Sequence, residues 1–443
     1  MERERESELV RLCIEAACQS GESVQKWRRQ RRSLERLPAH LADSLLRHLI
    51  RRRLIFPSLL EVFKHNAEAI ELRGENSVDA EWMAYLGAFR YLRSLNVADC
   101  RRVTSSALWA LTGMTCLKEL DLSRCVKVTD AGMKHLLSIS TLEKLWLSET
   151  GLTADGIALL SSLQNLSVLD LGGLPVTDLV LRSLQVLTKL EYLDLWGSQV
   201  SNRGAAVLKM FPRLSFLNLA WTGVTKLPNI SSLECLNLSF IQQVGAETDL
   251  VLSLTALQNL NHLERLNLEQ TQVSDATLFP LSTFKELIHL SLRNASLTDV
   301  SLHQLSSLSK LTNLSIRDAV LTNSGLGSFK PPRSLKLLDL HGGWLLTEDA
   351  ILQFCKMHPR IEVWHELSVI CPSDQIGSNG PSPSRTSLRA SLVKQKQDPM
   401  PMSHSFLDQR LKYSREELLE LQYSSLSLAR PDDSSTQDAM GLR

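Results

Sequence analysis

The sequence predicts an α/β fold of the solenoid kind: a right-handed horseshoe of stacked strand–turn–helix units, with an N-terminal helical module and a disordered C-terminal tail. Three observations carry this. An LxxLxL string recurs through the middle of the chain at nearly constant spacing. Most copies are followed by a Val/Leu-Thr/Ser-Asp/Asn step that opens a short apolar helix. Outside residues 66–367 the repeat stops and the composition changes.

The copies are LRSLNV, LKELDL, LEKLWL, LSVLDL, LEYLDL, LSFLNL, LECLNL, LERLNL, LIHLSL, LTNLSI and LKLLDL. They close on Val97, Leu122, Leu147, Leu171, Leu195, Leu219, Leu238, Leu268, Leu292, Ile316 and Leu340. Most intervals are 24 or 25 residues, the length of a leucine-rich repeat. Weaker copies read AIEL, closing on Leu72, and RIEV, closing on Val363. Within a copy the alternating leucines point to one side of a short strand. The steps beginning at Val128, Val176, Val200, Val273, Leu297 and Leu321 place a Thr or Ser where a hydroxyl can cap a helix start. Apolar residues such as those of AGMKHLLSI then bury against the next turn, so strands line the concave side and helices the convex side. The wording VTDAGMKHLL resembles the repeats of F-box-type and ribonuclease-inhibitor-like leucine-rich-repeat proteins. That resemblance implies the fold over 66–367 and leaves the partner open.

The rhythm breaks once. Leu219 to Leu238 is 19 residues and Leu238 to Leu268 is 30. Pro228 in the short turn leaves little room for a helix. The long turn, IQQVGAETDLVLSLTALQNL, implies a local change of curvature.

Residues 1–65 read as a helical docking or capping module. SELVRLCIEAACQ sets Leu9, Leu12, Cys13, Ala16 and Ala17 on one face, and a basic loop, KWRRQRR, follows. In LPAHLADSLLRHLI, Pro38 suits a first helical turn and Leu41, Leu45, Leu46 and Leu49 form a stripe. Another helix starts at Pro57. A solenoid's first turn exposes an apolar edge that a cap must cover. Leu9-xxx-Cys13-xxx-Ala17 also resembles the elongin-binding box, in which a Leu fills a pocket on elongin C. Leu37-Pro38-xx-Leu41-xxx-Leu45 resembles the cullin box of ubiquitin-ligase substrate receptors, and the order of segments is similar to the zyg-eleven family. Glu8 stands where that box has a small residue, and no armadillo-like half accompanies the repeats. LPAHLADSLLRHL is similar as well to a degenerate F-box, without its closing Cys-xx-Trp element. The resemblances imply docking of elongin C, or of an F-box adaptor, with a cullin through Leu9, Cys13, Ala17, Leu37, Pro38, Leu41 and Leu45.

On the concave side, the outward positions bring together Trp146, Tyr192, Trp196 and Phe216, with Trp221 and Phe240 one residue further on. Neighbouring strands lie about 4.8 Å apart, so these rings form one patch, and an exposed aromatic patch marks a protein-binding surface. Arg265, Arg293, Arg317 and His341 give later repeats a basic tint; Asp121, Asp170 and Asp194 give earlier ones an acidic tint, which is ordinary repeat chemistry. The expected substrate-binding set is Trp146, Tyr192, Trp196, Phe216, Trp221, Phe240, Arg293 and Arg317.

Residues 368–443 are rich in Ser, Pro and Gly and read as disordered. Near 414–422, RLKYSREELLELQ makes a short capped helix, with Ser414 and Glu417 as capping box. Tyr413-xxxx-Leu418-Leu419 resembles the motif of proteins that bind the mRNA cap-binding initiation factor (eukaryotic initiation factor 4E). The resemblance implies helix-in-groove binding through Tyr413, Leu418 and Leu419, and with it a role in translation.

Lys+Arg 49 against Asp+Glu 48 gives no global field for nucleic acid or an anionic membrane. No apolar run approaches a membrane span, and MERERESELV has no signal-peptide core. Eight scattered cysteines without a CxxC pair fit reduced thiols in cytoplasm or nucleus. No P-loop, GxSxG, HExxH or post-strand GxGxxG is present. A non-enzymatic adaptor without metal or cofactor is therefore expected.

Overall fold

The computed structural model describes residues 8–27, 36–240, 257 and 260–367. Helices α1 (Glu8–Ala17), α2 (Gly21–Trp27), α3 (Ala39–Arg51) and α4 (Pro57–Leu60) come first. Among the described residues thirteen parallel strands follow, each paired with the next in chain order. They are β1 (Ala69–Glu71), β2 (Ser94–Asn96), β3 (Glu119–Asp121), β4 (Lys144–Trp146), β5 (Val168–Asp170), β6 (Tyr192–Asp194) and β7 (Phe216–Asn218), then β8 (Cys235–Asn237), β9 (Arg265–Glu269), β10 (His289–Arg293), β11 (Asn313–Arg317), β12 (Leu337–Asp339) and β13 (Glu362–Trp364). Short helices and 3-10 turns return the chain along the other side.

The leucine pattern dictates the register. Leu95, Leu120, Leu145, Leu169, Leu193, Leu217 and Leu236 face one another across successive strands, and all are buried. At the far end the expected register is corrected. Leu338 pairs with Val363 and Asp339 with Trp364, so the last repeat closes on His365, not on Val363. His365 can enter the core because its Nε2 lies 3.3 Å from the Gly343 carbonyl.

Two residues past the closing apolar residue the backbone turns left-handed in repeat after repeat, at Gly74, Asp99, Arg124, Glu149, Gly173, Gly197, Trp221, Phe240, Gln270, Asp318 and Gly342. That conformation aims the amide at the next repeat: Asp99 N donates to Ser123 O at 2.7 Å and Gly173 N to Trp196 O at 2.6 Å. One residue later, the Cys100 and Cys125 thiols donate to Leu72 O and Val97 O of the preceding repeat, each at 3.2 Å.

The convex side carries a second ladder. Thr177, Ser201, Thr298 and Thr322 cap their helices as expected and Thr347 caps one more, whereas the Thr129 side chain makes no such bond. The Asp after the capping residue does something else: it reaches forward to the next repeat. Asp178 accepts from Ser201 N at 2.8 Å and from Ser201 Oγ at 2.6 Å. Asp130 does the same for Thr153, Asp275 for Thr298 and Asp299 for Thr322. Asn202 serves Thr225 N and Lys226 N, both at 2.8 Å, so the clamp persists into the short repeat between β7 and β8, where no helix forms.

The N-terminal helices cap the first strand. Ala42, Leu45, Leu46, Leu49 and Ile50 of α3 are buried in the common core. Asp43 Oδ1 accepts from Glu68 N and Ala69 N, at 3.1 and 3.3 Å. In later repeats such paired amides bond to a carbonyl just before the preceding strand, as Arg93 N and Ser94 N do to Glu68 O; among the described residues no strand precedes β1, and the Asp43 carboxylate takes that place. Truncating Leu49, which is fully buried, to alanine should cost about 3 kcal/mol. The expected readout is loss of hydrogen-exchange protection in β1 and β2 first; undiminished protection there would contradict the capping role.

Candidate functional site

The concave aromatics are brought together as two stacks. Tyr192 lies on Phe216 with ring centroids 4.1 Å apart and 15° between planes; it is 9% exposed, and its hydroxyl is 3.3 Å from Asp194 Oδ2. Trp221 lies on Phe240 at 4.8 Å and 10°. Both of these residues have positive φ, 59° and 53°. Elsewhere in that column stand Gly, Asp, Glu, Gln and Arg, and a bulky ring with φ above zero is a true outlier, costing on the order of 1–3 kcal/mol. Stacking recovers part of that, about 1 kcal/mol per pair. Trp196 spreads over Gly173, where a Cβ would come within 3.1 Å of the indole; the glycine makes room for the ring. Phe216, Trp196, Trp221, Phe240 and Trp146 all remain partly exposed. Trp146 interrupts the Asp/Asn column, standing between Asp121 and Asp170.

That column is structural. Asp121, Asp170, Asp194, Asn218 and Asn237 each accept the backbone amide two residues on, at 2.9–3.1 Å. Asp170 and Asp194 are buried. Burial, reinforced by the charge of Asp170, pushes the Asp194 carboxyl up to about 7.

The basic tint of later repeats is corrected at Arg293, Arg317 and His341, which are paired with carboxylates of neighbouring strands and turns. Arg293 Nε is 2.5 Å from Asp318 Oδ2. Arg317 binds Asp339 at 2.7 Å and has Glu269 at 3.8 Å, while His341 Nδ1 is 2.5 Å from Asp339 Oδ1. Burial works against the Asp339 charge, yet His341 and Arg317 hold its carboxyl below the usual range. Arg293 and Arg317 thus hold repeats together and are not poised for an anionic ligand.

The N-terminal residues divide. In α1, Ile14 and Ala17 pack on the core and Cys18 beyond it is fully buried, while Leu12 is 51% exposed and Cys13 and Ala16 are exposed. The helix thus has an inner apolar side and an outer one. Leu9 belongs to α1 by its backbone, and helical spacing sets it one turn before Cys13. Of the other residues singled out, Pro38 is exposed, Leu37 and Leu41 are half-buried, and Leu45 is 6% exposed inside the core. Leu45 is corrected accordingly: it is buried in the common core with the rest of the α3 stripe and serves the cap. Tyr413, Leu418 and Leu419, with the short helix near 414–422, lie outside the described residues, as does most of the long turn after Phe240.

Ala17 is corrected likewise: expected on one face with Leu12, Cys13 and Ala16, it packs on the core while those three stay exposed, because the apolar arc of α1 is wider than one packing face. Among the described residues, no group of three or more His, Cys, Asp or Glu side chains could hold a metal ion, and no helix is long and apolar enough to cross a membrane.

A leucine-rich-repeat family model matches residues 113–137. The described repeats form a leucine-rich-repeat solenoid. A search of the curated proteins finds no match. Among solved structures, an internalin (inlF) of Listeria monocytogenes is 17% identical with a TM-score of 0.46, over 74% of this chain and 95% of that one. The Rad7–Elc1 complex of yeast is 18% identical with a TM-score of 0.49, over 81% and 93%. A leucine-rich-repeat solenoid of this kind is a protein-binding scaffold.

Proposed function

We propose that this protein is a substrate receptor of a cullin-type ubiquitin ligase, docking an elongin-C-type adaptor through α1 and holding its target on the concave aromatic surface. The observation that carries the reading is the second apolar side of α1. Capping requires one apolar side, and Ile14, Ala17 and Cys18 supply it. Leu12, Cys13 and Ala16 on the opposite side have no capping role, and burying an exposed leucine contributes roughly 2 kcal/mol. The small Cys13 and Ala16 beside Leu12 leave a shallow flank into which a partner's surface can close. Docking through the second box would fall to Pro38 and Leu41, because Leu45 is occupied in the core.

The test uses the full chain and purified elongin C with its partner elongin B. The native chain should capture the complex, and Leu9→Asp with Cys13→Asp should abolish capture, about 100-fold or more, while thermal unfolding stays unchanged. No capture by the native chain, or a variant that loses capture only because it unfolds, would return α1 to capping alone. Capture of the cap-binding initiation factor in place of elongin C, lost on Tyr413→Ala with Leu418→Ala, would move the function to translation.

A further inference from the structure

Along the first repeats, charges on the concave face and its rim are matched between neighbours. Glu68 pairs with Arg93 at 3.5 Å, Lys118 with Glu143 at 2.6 Å, Glu119 with Lys144 at 2.7 Å and Arg124 with Glu149 at 3.7 Å. Beside the aromatic stacks the matching stops. Glu191, Glu234 and Glu264 occupy the position of Lys118 and Glu143, one residue before β6, β8 and β9. Backbone bonds fix them as neighbours: Ser215 N donates to Glu191 O at 2.9 Å, Glu234 N to Ser215 O at 2.9 Å and Glu264 N to Glu234 O at 2.8 Å. Glu191 and Glu234 are exposed.

Among the described residues, none of the three makes an ion pair. Lys189 is hydrogen-bonded to Asn165 Oδ1 at 2.7 Å. Among the described residues, neither Arg213, on the turn before β7, nor Arg265, one step along the face, makes an ion pair with a carboxylate. Glu234 and Glu264 stand one strand apart, about 4.8 Å by backbone spacing, and like charges so placed repel. On β6 the Tyr192 hydroxyl also donates to Asp194 Oδ2 at 3.3 Å. An aromatic ring adds a negative face of its own, which attracts a cation by about 0.5–2 kcal/mol.

Resting on the concave reading above, we propose that the surface of Tyr192, Phe216, Trp221 and Phe240, rimmed by Glu191 and Glu234, binds a cationic segment of a partner protein in which Arg or Lys alternates with apolar residues. The apolar side chains cover the stacked rings, and the basic ones meet the ring faces and the rim carboxylates. The excess of carboxylates chooses the sign of the partner, and the strained Trp221–Phe240 pair supplies the contact area.

The measurement is fluorescence anisotropy of a short fluorescein-labelled peptide alternating Arg with Leu, titrated with the full chain, against its Glu-for-Arg counterpart. The Arg peptide should bind and weaken about tenfold from low to high salt; the Glu peptide should not bind. Glu191→Lys with Glu234→Lys should weaken the Arg peptide tenfold or more, at about 1.4 kcal/mol per tenfold step. Trp221→Asn should do the same with unchanged thermal unfolding, since Asn tolerates the left-handed backbone. Glu348→Lys on a convex helix should change nothing. Absence of Arg-peptide binding, equal binding of both peptides, or indifference to the rim reversal would overturn the proposal. Adaptor capture through α1 is read separately, so a chain that keeps the adaptor and ignores the Arg peptide loses only this proposal.

Discussion

Alanine at Gly204 should destabilise the solenoid by about 3 kcal/mol, although it adds one methyl group to a surface helix. A Cβ there would come within 2.7 Å of the Asp178 Cγ and overlap the carboxylate itself. Asp178 would have to swing away, giving up the Ser201 amide and hydroxyl that it now accepts, and hydrogen bonds to a charged group contribute about 1.5–3 kcal/mol each. Asp178→Ala alone should therefore cost about 3 kcal/mol. The two changes should be far from additive: once Gly204→Ala has displaced the carboxylate, removing it costs almost nothing more. A double-mutant cycle by urea unfolding measures the coupling. Additive losses would mean that the clamp contributes little and the steric argument is wrong. Gly156 on Asp130 and Gly325 on Asp299 repeat the arrangement, so the same cycle should give the same sign there.

This clamp marks where sequence reasoning stopped. The LxxLxL spacing left one register open to every central strand, since a shift by one residue would turn each leucine to solvent. That is why the strands could be placed without a structure. The Thr-Asp step was legible only as a local cap, because its second function is a contact between residues about 23 apart, and spacing alone does not say which neighbour a carboxylate reaches. The end of the array was misplaced for a related reason: RIEV has the apolar alternation of a closing segment, and only pairing with β12 shows that His365 closes it. The aromatic patch was readable from alternation, but its two stacks were not, because stacking of Trp221 on Phe240 depends on left-handed backbone that neither residue favours. For Arg293 and Arg317 the charge was legible without its counter-charges, which sit on neighbouring repeats at Asp318 and Asp339. In α1, the apolar residues were visible but the side on which each would lie was set by the docking of α3.

Raising the pH from 5 to 8 should loosen the repeats around β5 to β7, and Asp194→Asn should remove most of that loosening. The Asp194 carboxyl is buried beside Asp170, and burial first, Asp170 second, push it up to about 7. In the unfolded chain it titrates near 3.8, so the folded state holds the proton more tightly. The stability this group contributes is then fully present below about pH 4 and is lost as pH rises through about 7. The loss should be on the order of 2 kcal/mol by pH 8. Asparagine fits the position because Asn218 and Asn237 already occupy it in the next two repeats, each accepting its own backbone amide at 3.0 and 3.1 Å. In the Asp194→Asn chain the new side-chain amide could donate to Asp170, as Asn218 now donates to Asp194 at 3.0 Å. Hydrogen exchange of β5 to β7 across that pH range separates the cases. A native chain that loosens and a variant that does not assign the proton to Asp194. An unchanged slope in the variant would move it to another buried carboxylate, with Glu269 next, since burial raises its carboxyl too and the nearby Arg317 only partly offsets this. The retained aspartate then has a consequence for the patch above it: its Tyr192 hydroxyl contact ties the protonation of the floor to the ring that a partner would cover.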